Sequence, residues 1–376
     1  MKLAAKDLIN IDGLQARMDA GGVDAIVARA GINITYLAGF AYPGTLARHV
    51  DLADSPRGVY LVWPRTGEPR IVTNHTAAGL PERDSWVTQI DIYEGYVERP
   101  VQRLIATLTD MGLTGGTVAF ETDYISAMDW DMLRTQLPGM RAVDSTALME
   151  QVRAIKTPAE IARFRDGASR LDRAFVECFQ AARPGMRERD LHAHLVAGCI
   201  TKGSEFTHGI LNSSRNTVPY GGESDFILQA GDAVRTDYVA YFGGYPGHQS
   251  RCAVIGEPSA AQRQEYRVVR DIYRATNNQL LPGRTAGEIF KFVNDSFAAV
   301  GMPYNNFLSG HSVGCWWHQQ EPVISRNNSR VLEAGMVIAM EPHVNHWHIQ
   351  DMLLITDDGP ELLSSDFNTD EIFACV

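Results

Sequence analysis

No two cysteines in this chain stand close enough to clamp a metal or close a short loop. The five, at 178, 199, 252, 315 and 375, are scattered, odd in number and never in a CxxC pair. That excludes a disulfide frame and a zinc knuckle, and reads as reduced thiols in a cytosolic protein. Basic residues are in deficit, 34 Lys+Arg against 45 Asp+Glu, for a formal net charge of −11. The deficit argues against nucleic acid and against an anionic membrane surface as partners, and leaves a metal ion or a small molecule as the easier ligand. No apolar run reaches the ~18 residues that a spanning helix needs. The opening MKLAAKDLINIDG has no signal-peptide core, so a cytoplasmic protein with no membrane segment is expected. Internal repeats and low-complexity tracts are also missing.

What remains is an ordinary globular composition, 45% hydrophobic and 21% charged. A length of 376 residues exceeds what one small core organises, so two domains are expected, 1–150 and 151–376. In the first, LQARMDAGG closes a helix on Gly21-Gly22, and VDAIVA, VYLVW, EPRIVTNH and GTVAFE read as strands. This alternation predicts a small α/β layer. From Thr157 the texture changes. Thr157 is a candidate N-cap, Pro158 suits the first turn, and Glu160 stands where a capping box wants it. Ile161, Phe164, Ala168, Leu171, Phe175 and Phe179 then keep helical spacing until Pro184-Gly185. A second helix is predicted at ERDLHAHLVAGCITKG and a third near 261–281. DAVRTDYVAYF, SRCAVIG, GMVIAMEPHV and DMLLITDDG read as strands that look antiparallel. Helices in front and strands behind make the second half an α+β domain.

Three stretches collect the polar chemistry. RTDYVAYFGGYPGHQSR (235–251) sets Asp237 and His248 eleven residues apart across a Gly/Pro turn. These two are ligands of one metal, catalytic groups without one, or unrelated residues of a hairpin. LSGHSVGCWWHQQEP holds His311 between Gly310 and Gly314 and His318 seven residues on, beside Trp316 and Trp317, in what reads as a loop of the kind that lines pockets. In VIAMEPHVNHWHIQDMLLIT, Glu341 follows four apolar residues into a mostly buried surface, where a carboxylate needs a partner. His343, His346 and His348 read as a solvated turn, and Gln350 and Asp351 open the next strand on opposite faces.

In order and spacing, these segments resemble the creatinase / aminopeptidase P / prolidase family, whose catalytic domain is the pita-bread fold. INITYLAGF (32–40) is similar to the N-terminal-domain signature and VRAIKTPAEI (152–161) to the inter-domain one. GDAVRTDYVAYFGGY, SGHSVG, LEAGMVIAMEP and HIQDMLLITDDG resemble the four site segments. The resemblance implies a pita-bread catalytic domain behind a smaller N-terminal α/β domain. It also implies a homodimer in which an N-terminal-domain loop, here AYPGTLARHVDLADSPRG (41–58), reaches the partner's pocket.

The departures from the family pattern matter more than the matches. Metallopeptidases of the family hold two divalent ions with two Asp, one His and two Glu. Asp237, His311 and Glu341 match the first Asp, the His and the first Glu. The second Asp position is His248, the second Glu position Gln350, and a family histidine twelve residues before Asp232 is Tyr220. His318 matches the family's second histidine. Two dications about 3.5 Å apart repel by roughly 20 kcal/mol at an effective dielectric near 20. Replacing two of four carboxylates by neutral His and Gln removes much of the compensation. No metal is therefore expected, as in creatinase, with a single zinc or manganese ion as the alternative the donors allow.

The principal expectation is a hydrolase that cleaves a C–N bond in a small non-peptide amide, amidine or urea-like substrate. His311 would transfer the proton at the leaving nitrogen, and Glu341 would hold the substrate or orient water. His248 and Asp237 would activate water, while His318 and Tyr220 would stabilise the oxyanion. Arg57 resembles an arginine that binds a substrate carboxylate in creatinase-like enzymes. Where creatinase has another, this chain has Pro322 preceded by Glu321, which argues against creatine. Trp316 and Trp317 beside Glu321 would suit a cationic or aromatic group, and Gln350 would contact substrate. Two rivals stand beside this expectation: an Xaa-Pro peptidase with an altered metal site, and a non-catalytic binding protein on the same fold.

Overall fold

Helix α1 (Ile11–Gly21) begins where the Asn10 side chain accepts from the Gly13 amide at 3.0 Å, and ends where Gly22 turns left-handed. It belongs to a computed structural model that describes residues 5–29, 31–40, 58–218, 224–315 and 320–376. The chain divides into two compact units, Met1–Arg153 with Thr157–Ala159, and Ala154–Lys156 with Glu160–Val376. Among the described residues no helix is long and apolar enough to cross a membrane.

The first unit is built on a six-stranded mixed sheet of β1 (Ala25–Ala28), β2 (Tyr60–Pro64), β3 (Arg70–Asn74), β4 (Gln89–Tyr93), β5 (Thr117–Phe120) and β6 (Arg141–Asp144). Its order is β4-β3-β2-β1-β5-β6, antiparallel where β2 meets β1 and β3 and parallel elsewhere. Helices α2 (Gly31–Ala38), α3 (Gly79–Asp84), α4 (Pro100–Asp110), α5 (Ala127–Gln136) and α6 (Thr146–Ala154) complete it. On α4, Val101, Leu104, Ile105 and Leu108 follow helical spacing and bury against Val27, Val62, Val72 and Phe120 of the sheet. The four strands predicted here are β1, β2, β3 and β5. The other two, β4 and β6, lie at the sheet's edges, where partial exposure blurs the apolar pattern.

The second unit is the expected α+β pita-bread domain. One sheet joins β7 (Phe206–Ser213), β8 (Ala233–Phe242), β9 (Tyr245–Gln249), β10 (Cys252–Ile255) and a final strand, β18 (Phe373–Cys375). The other joins β11 (Leu308–Ser312), β12 (Gln320–Ser325), β13 (Val337–Met340), β16 (Asp351–Thr356) and β17 (Gly359–Leu362). All their pairings are antiparallel except β10 with β18. A short hairpin, β14 (His343–Val344) with β15 (Trp347–His348), turns on Asn345 at φ 57°. Helices α7 (Pro158–Ala181) and α8 (Glu188–Thr201) pack on the first sheet, and α9 (Ala260–Asn277) and α10 (Ala286–Ala299) on the second. Each large apolar side chain so buried contributes about 1.5–3 kcal/mol.

Two close approaches fix where the polar segments end up. A Cβ on Gly167 of α7 would lie 3.0 Å from the Gly247 amide, and one on Gly247 would lie 2.5 Å from the Gly167 carbonyl. This pair of glycines seats α7 directly on β9, the strand that carries His248. Residues 308–312, read from sequence as a loop, are instead β11, held between β12 and β13. A Cβ on Gly310 would meet the Ala339 carbonyl at 2.6 Å, so that glycine serves close strand packing, not a turn.

The two sheets meet at a bridge between Ser250 and Gln350, whose amides and carbonyls pair at 3.3 and 3.2 Å. Behind it, buried Arg251 contacts Asp172 and Asp351, each at 2.6 Å, and donates to the carbonyls of Ser250 and Gln350 at 3.0 and 2.6 Å. Tyr273 also donates to Asp351, and Ser364 to Asp172 at 2.6 Å. The two carboxylates beside Arg251 outweigh its burial and hold the guanidinium charged.

Candidate active site

Strand β8 supplies the floor. Side chains alternate along it, so Arg235, Asp237 and Val239 share a face, and His248 stands opposite Val239 on β9. The His248 Nδ1–H donates to the Tyr238 carbonyl at 3.1 Å and lies 4.0 Å from Asp237 Oδ1, which leaves Nε2 with its lone pair. The His248 ring stacks on His311 with centroids 5.4 Å apart. His311, on β11, likewise donates from Nδ1 to the Ser312 carbonyl at 3.0 Å, and its Nε2 is 3.8 Å from Glu341 Oε1. Glu341 follows β13 and is anchored by its own amide on the Ser309 carbonyl at 2.8 Å.

The other carboxylate oxygen of Glu341 faces His348 Nε2 at 3.4 Å. His348 is fully buried, and its backbone is pinned by Cys252, whose sulfur accepts from the His348 amide at 2.9 Å. Arg235 Nε donates to His348 Nδ1 at 3.4 Å. His343 stands across the hairpin with its ring 4.3 Å from that of His348, and its Nδ1–H donates to the Glu341 carbonyl at 2.9 Å. His346, near the hairpin's tip, is half-buried and offers its carbonyl to the Cys252 thiol at 3.4 Å.

Burial governs the protonation of this cluster. Glu341 is pushed well above the ordinary carboxyl range, first by desolvation and then by the charge of Asp237, with Arg235 opposing. Desolvation, with His343 and Arg235 adding to it, holds His348 well below its usual value. His343 is pushed down to about 4 by burial and by Arg235. The imidazoles of His343 and His348 are therefore neutral at pH 7, and the glutamate is biased toward its acid form.

Four of the residues singled out from sequence, Asp237, His248, His311 and Glu341, thus come together from separate segments. Gln350 sits at the sheet bridge, where its Oε1 accepts from Ser250 Oγ at 2.7 Å and its buried Nε2 is without a partner. Strand alternation puts it on the face of His348. Glu321 is not brought to the cluster: it is exposed on β12 and accepts from the Val323 amide at 3.2 Å and from Asn328 at 3.1 Å. Arg57, Tyr220, Trp316, Trp317 and His318 lie outside the described residues, as does 41–57 of the expected dimer loop. Sequence reading missed Arg235, and it took His343 and His348 for solvated residues. The signal for Arg235 was present, since it stands two residues from Asp237 on a strand.

Comparison with known proteins identifies the family and the fold. Residues 162–357 match the model of metallopeptidase family M24, and residues 10–155 that of the creatinase/prolidase N-terminal domain. An uncharacterized peptidase of Bacillus subtilis is 30% identical over 220 residues, 56% of this chain and 62% of that protein. An Xaa-Pro dipeptidase of Lactobacillus helveticus is 29% identical over 259 residues, 65% of this chain and 69% of the relative. The crystal structure of a dipeptidase, PepE, from Mycobacterium ulcerans superposes with a TM-score of 0.79 at 23% identity, covering 99% of both chains, and shows the shared fold.

Proposed function

The chain belongs to metallopeptidase family M24, and from that premise we propose that it hydrolyses a C–N bond in a small peptide-like amide of the Xaa-Pro type. Its centre would use side chains where the family uses a pair of divalent ions. The relatives above are named as peptidases and dipeptidases. Those names lend no support to the expected non-peptide amide, amidine or urea, and they favour the rival expectation of Xaa-Pro chemistry. The observation that carries the reading is the convergence of Asp237, His248, His311 and Glu341 on one cluster.

The donor set does not fit two dications. Gln350 contributes no charge, and its oxygen is engaged by Ser250. A guanidinium, Arg235, stands at His348 in the same cluster. Glu341, His343 and His348 carry ligand-type atoms within 4.8 Å of one another, the one such group among the described residues. It would suit at most a single zinc- or manganese-type ion, and only if His348 gave up its contact with Arg235.

Without a metal, amide hydrolysis needs a base for water and an acid for the leaving nitrogen. His248 has its Nδ1 proton fixed on a carbonyl, so its Nε2 is the atom placed to take a proton from water, with Asp237 steadying the imidazolium. Glu341, biased toward its acid form, has Oε1 3.8 Å from His311 Nε2, and this pair would deliver a proton to the departing nitrogen. Arg235 is the fixed positive charge beside the developing oxyanion. A second reading, a creatinase-like enzyme acting on a small non-peptide substrate, is favoured by one observation: imidazoles, an amide and a guanidinium stand where ion ligands would be. A cytoplasmic homodimer completed by segment 41–58 belongs to the same proposal.

The test is an assay after exhaustive dialysis against EDTA, with Xaa-Pro dipeptides alongside small amides, amidines and ureas. Hydrolysis of an Xaa-Pro dipeptide that survives the chelator is expected. Turnover of the non-peptide substrates alone selects the second reading. Activity lost with the chelator and restored by an ion overturns the metal-free centre, and turnover of none of them makes the protein a binding module.

A further inference from the structure

We infer that Arg235 locks the cluster against a metal ion, by fixing the tautomer of His348 so that this ring has no lone pair to give. The inference rests on taking this cluster as the family's active centre, but its test does not depend on turnover.

An arginine side chain carries only donors. Because Arg235 Nε points at His348 Nδ1 at 3.4 Å, that nitrogen must accept, and the single proton of the neutral ring belongs on Nε2. A ring protonated on Nδ1 would set two N–H groups face to face. Nε2–H then looks toward Glu341 Oε2 at 3.4 Å. Each nitrogen of His348 is therefore committed, one lone pair to a guanidinium and the other to a proton. The His348 backbone is held in place as well: Cys252 accepts from the His348 amide at 2.9 Å, and its one thiol proton lies between the His348 carbonyl at 3.1 Å and the His346 carbonyl at 3.4 Å.

His343 lacks this constraint. Its Nδ1 proton goes to the Glu341 carbonyl, so its Nε2 is free to coordinate, and Glu341 offers oxygens. Two of the three residues that could grip an ion are thus competent, and the third is disabled by one side chain. Outer-shell partners of this kind typically shift metal affinity by about 10–100-fold by setting which nitrogen of a histidine is available. Here the partner works in the opposite sense from the carboxylate or carbonyl that usually backs a metal-bound histidine, because it donates where those accept. Arg235 also fixes a positive charge where a dication would have to enter. It is a positioning residue for His348 and a barrier to the ion.

The experiment is calorimetric titration of the full chain with Zn²⁺ alone and with Mn²⁺ alone, for wild type, Arg235→Met and Arg235→Lys, together with ¹⁵N NMR of the His348 ring in the wild type. Met keeps much of the stem while removing the donors, and Lys keeps a donor and the charge. Circular dichroism checks that each variant is folded. The expected result is a protonated Nε2 and bare Nδ1 on His348, no tight ion in wild type or Arg235→Lys, and one ion bound at least about 10²-fold more tightly by Arg235→Met. Adding His343→Gln to Arg235→Met should abolish that gain. A wild-type ring protonated on Nδ1, or wild type binding an ion as tightly as Arg235→Met, overturns the inference. If Arg235→Met does not fold, the ring spectrum and the wild-type titration still decide it. If the tautomer and titrations come out as expected while no substrate is turned over, the functional reading fails and this one stands.

Discussion

Two buried arginines sit sixteen residues apart in this molecule and stand in centres of different make-up. Arg251 is saturated, with two carboxylates at 2.6 Å and two carbonyls at 3.0 and 2.6 Å around it. Arg235 meets an imidazole at 3.4 Å, in a cluster whose histidines reach Glu341 at 3.4 and 3.8 Å and where the Nε2 atoms of His348 and Gln350 are without hydrogen-bond partners. The neighbours Gln350 and Asp351 divide between the two centres: Asp351 goes to Arg251, and Gln350 lies on the face of His348. A saturated buried network stiffens the join between two sheets. Buried polar atoms left without a hydrogen bond, as the Nε2 atoms of His348 and Gln350 are, cost stability and persist where something else is to be bound. The contrast supports reading the first as a structural centre and the second as the proposed functional one.

The largest effects are expected at His311 and Glu341. His311→Ala should lower kcat by about 10²–10⁴-fold while leaving thermal unfolding close to wild type. Glu341→Gln, which keeps shape but loses the exchangeable proton, should be comparably damaging. A full-activity His311→Ala would take that residue out of the mechanism.

Arg251→Ala should do the reverse. Removing the cation from between Asp172 and Asp351 leaves two buried carboxylates uncompensated, and a loss of about 3–5 kcal/mol in denaturant-measured stability is expected. A loss below about 1 kcal/mol would mean that the triad does not hold the sheets together.

Much of this was legible in the sequence, and the misses have physical reasons. Asp237, His248, His311 and Glu341 stood out because each interrupts an apolar run or sits beside a Gly turn. His343 and His348 did not, because a histidine-rich turn looks solvated until the hairpin is seen folded against β8, where Arg235 covers it. Helix α10 went unread although Thr285 and Glu288 form a reciprocal cap, with bonds of 3.3 and 2.7 Å. Gly287 within that turn masks the helical pattern. Residues 308–312 read as a loop in the sequence because glycine signals a turn more often than the close strand approach it serves here.

A smaller effect is expected from the protonation of His343. In the unfolded chain His343 takes a proton near pH 6.5, whereas in the fold it does so only near about 4. Between those values the unfolded state binds more protons, so this residue's contribution is intact above pH 6.5 and is lost as pH falls, by at most about 1.4 kcal/mol per pH unit. Glu341, with its raised value, acts in the opposite sense, so the two must be separated. The stability of His343→Gln relative to wild type should rise on going from pH 7 to pH 4.5. A difference that does not change with pH would show that His343 is not held neutral by burial.

Metal content decides whether side chains have replaced the family's two ions. Elemental analysis of the purified protein, before and after incubation with excess Zn²⁺ or Mn²⁺ and gel filtration, should find well under one ion per chain in every sample. Two ions retained per chain would contradict the account and make His248 and Gln350 metal ligands.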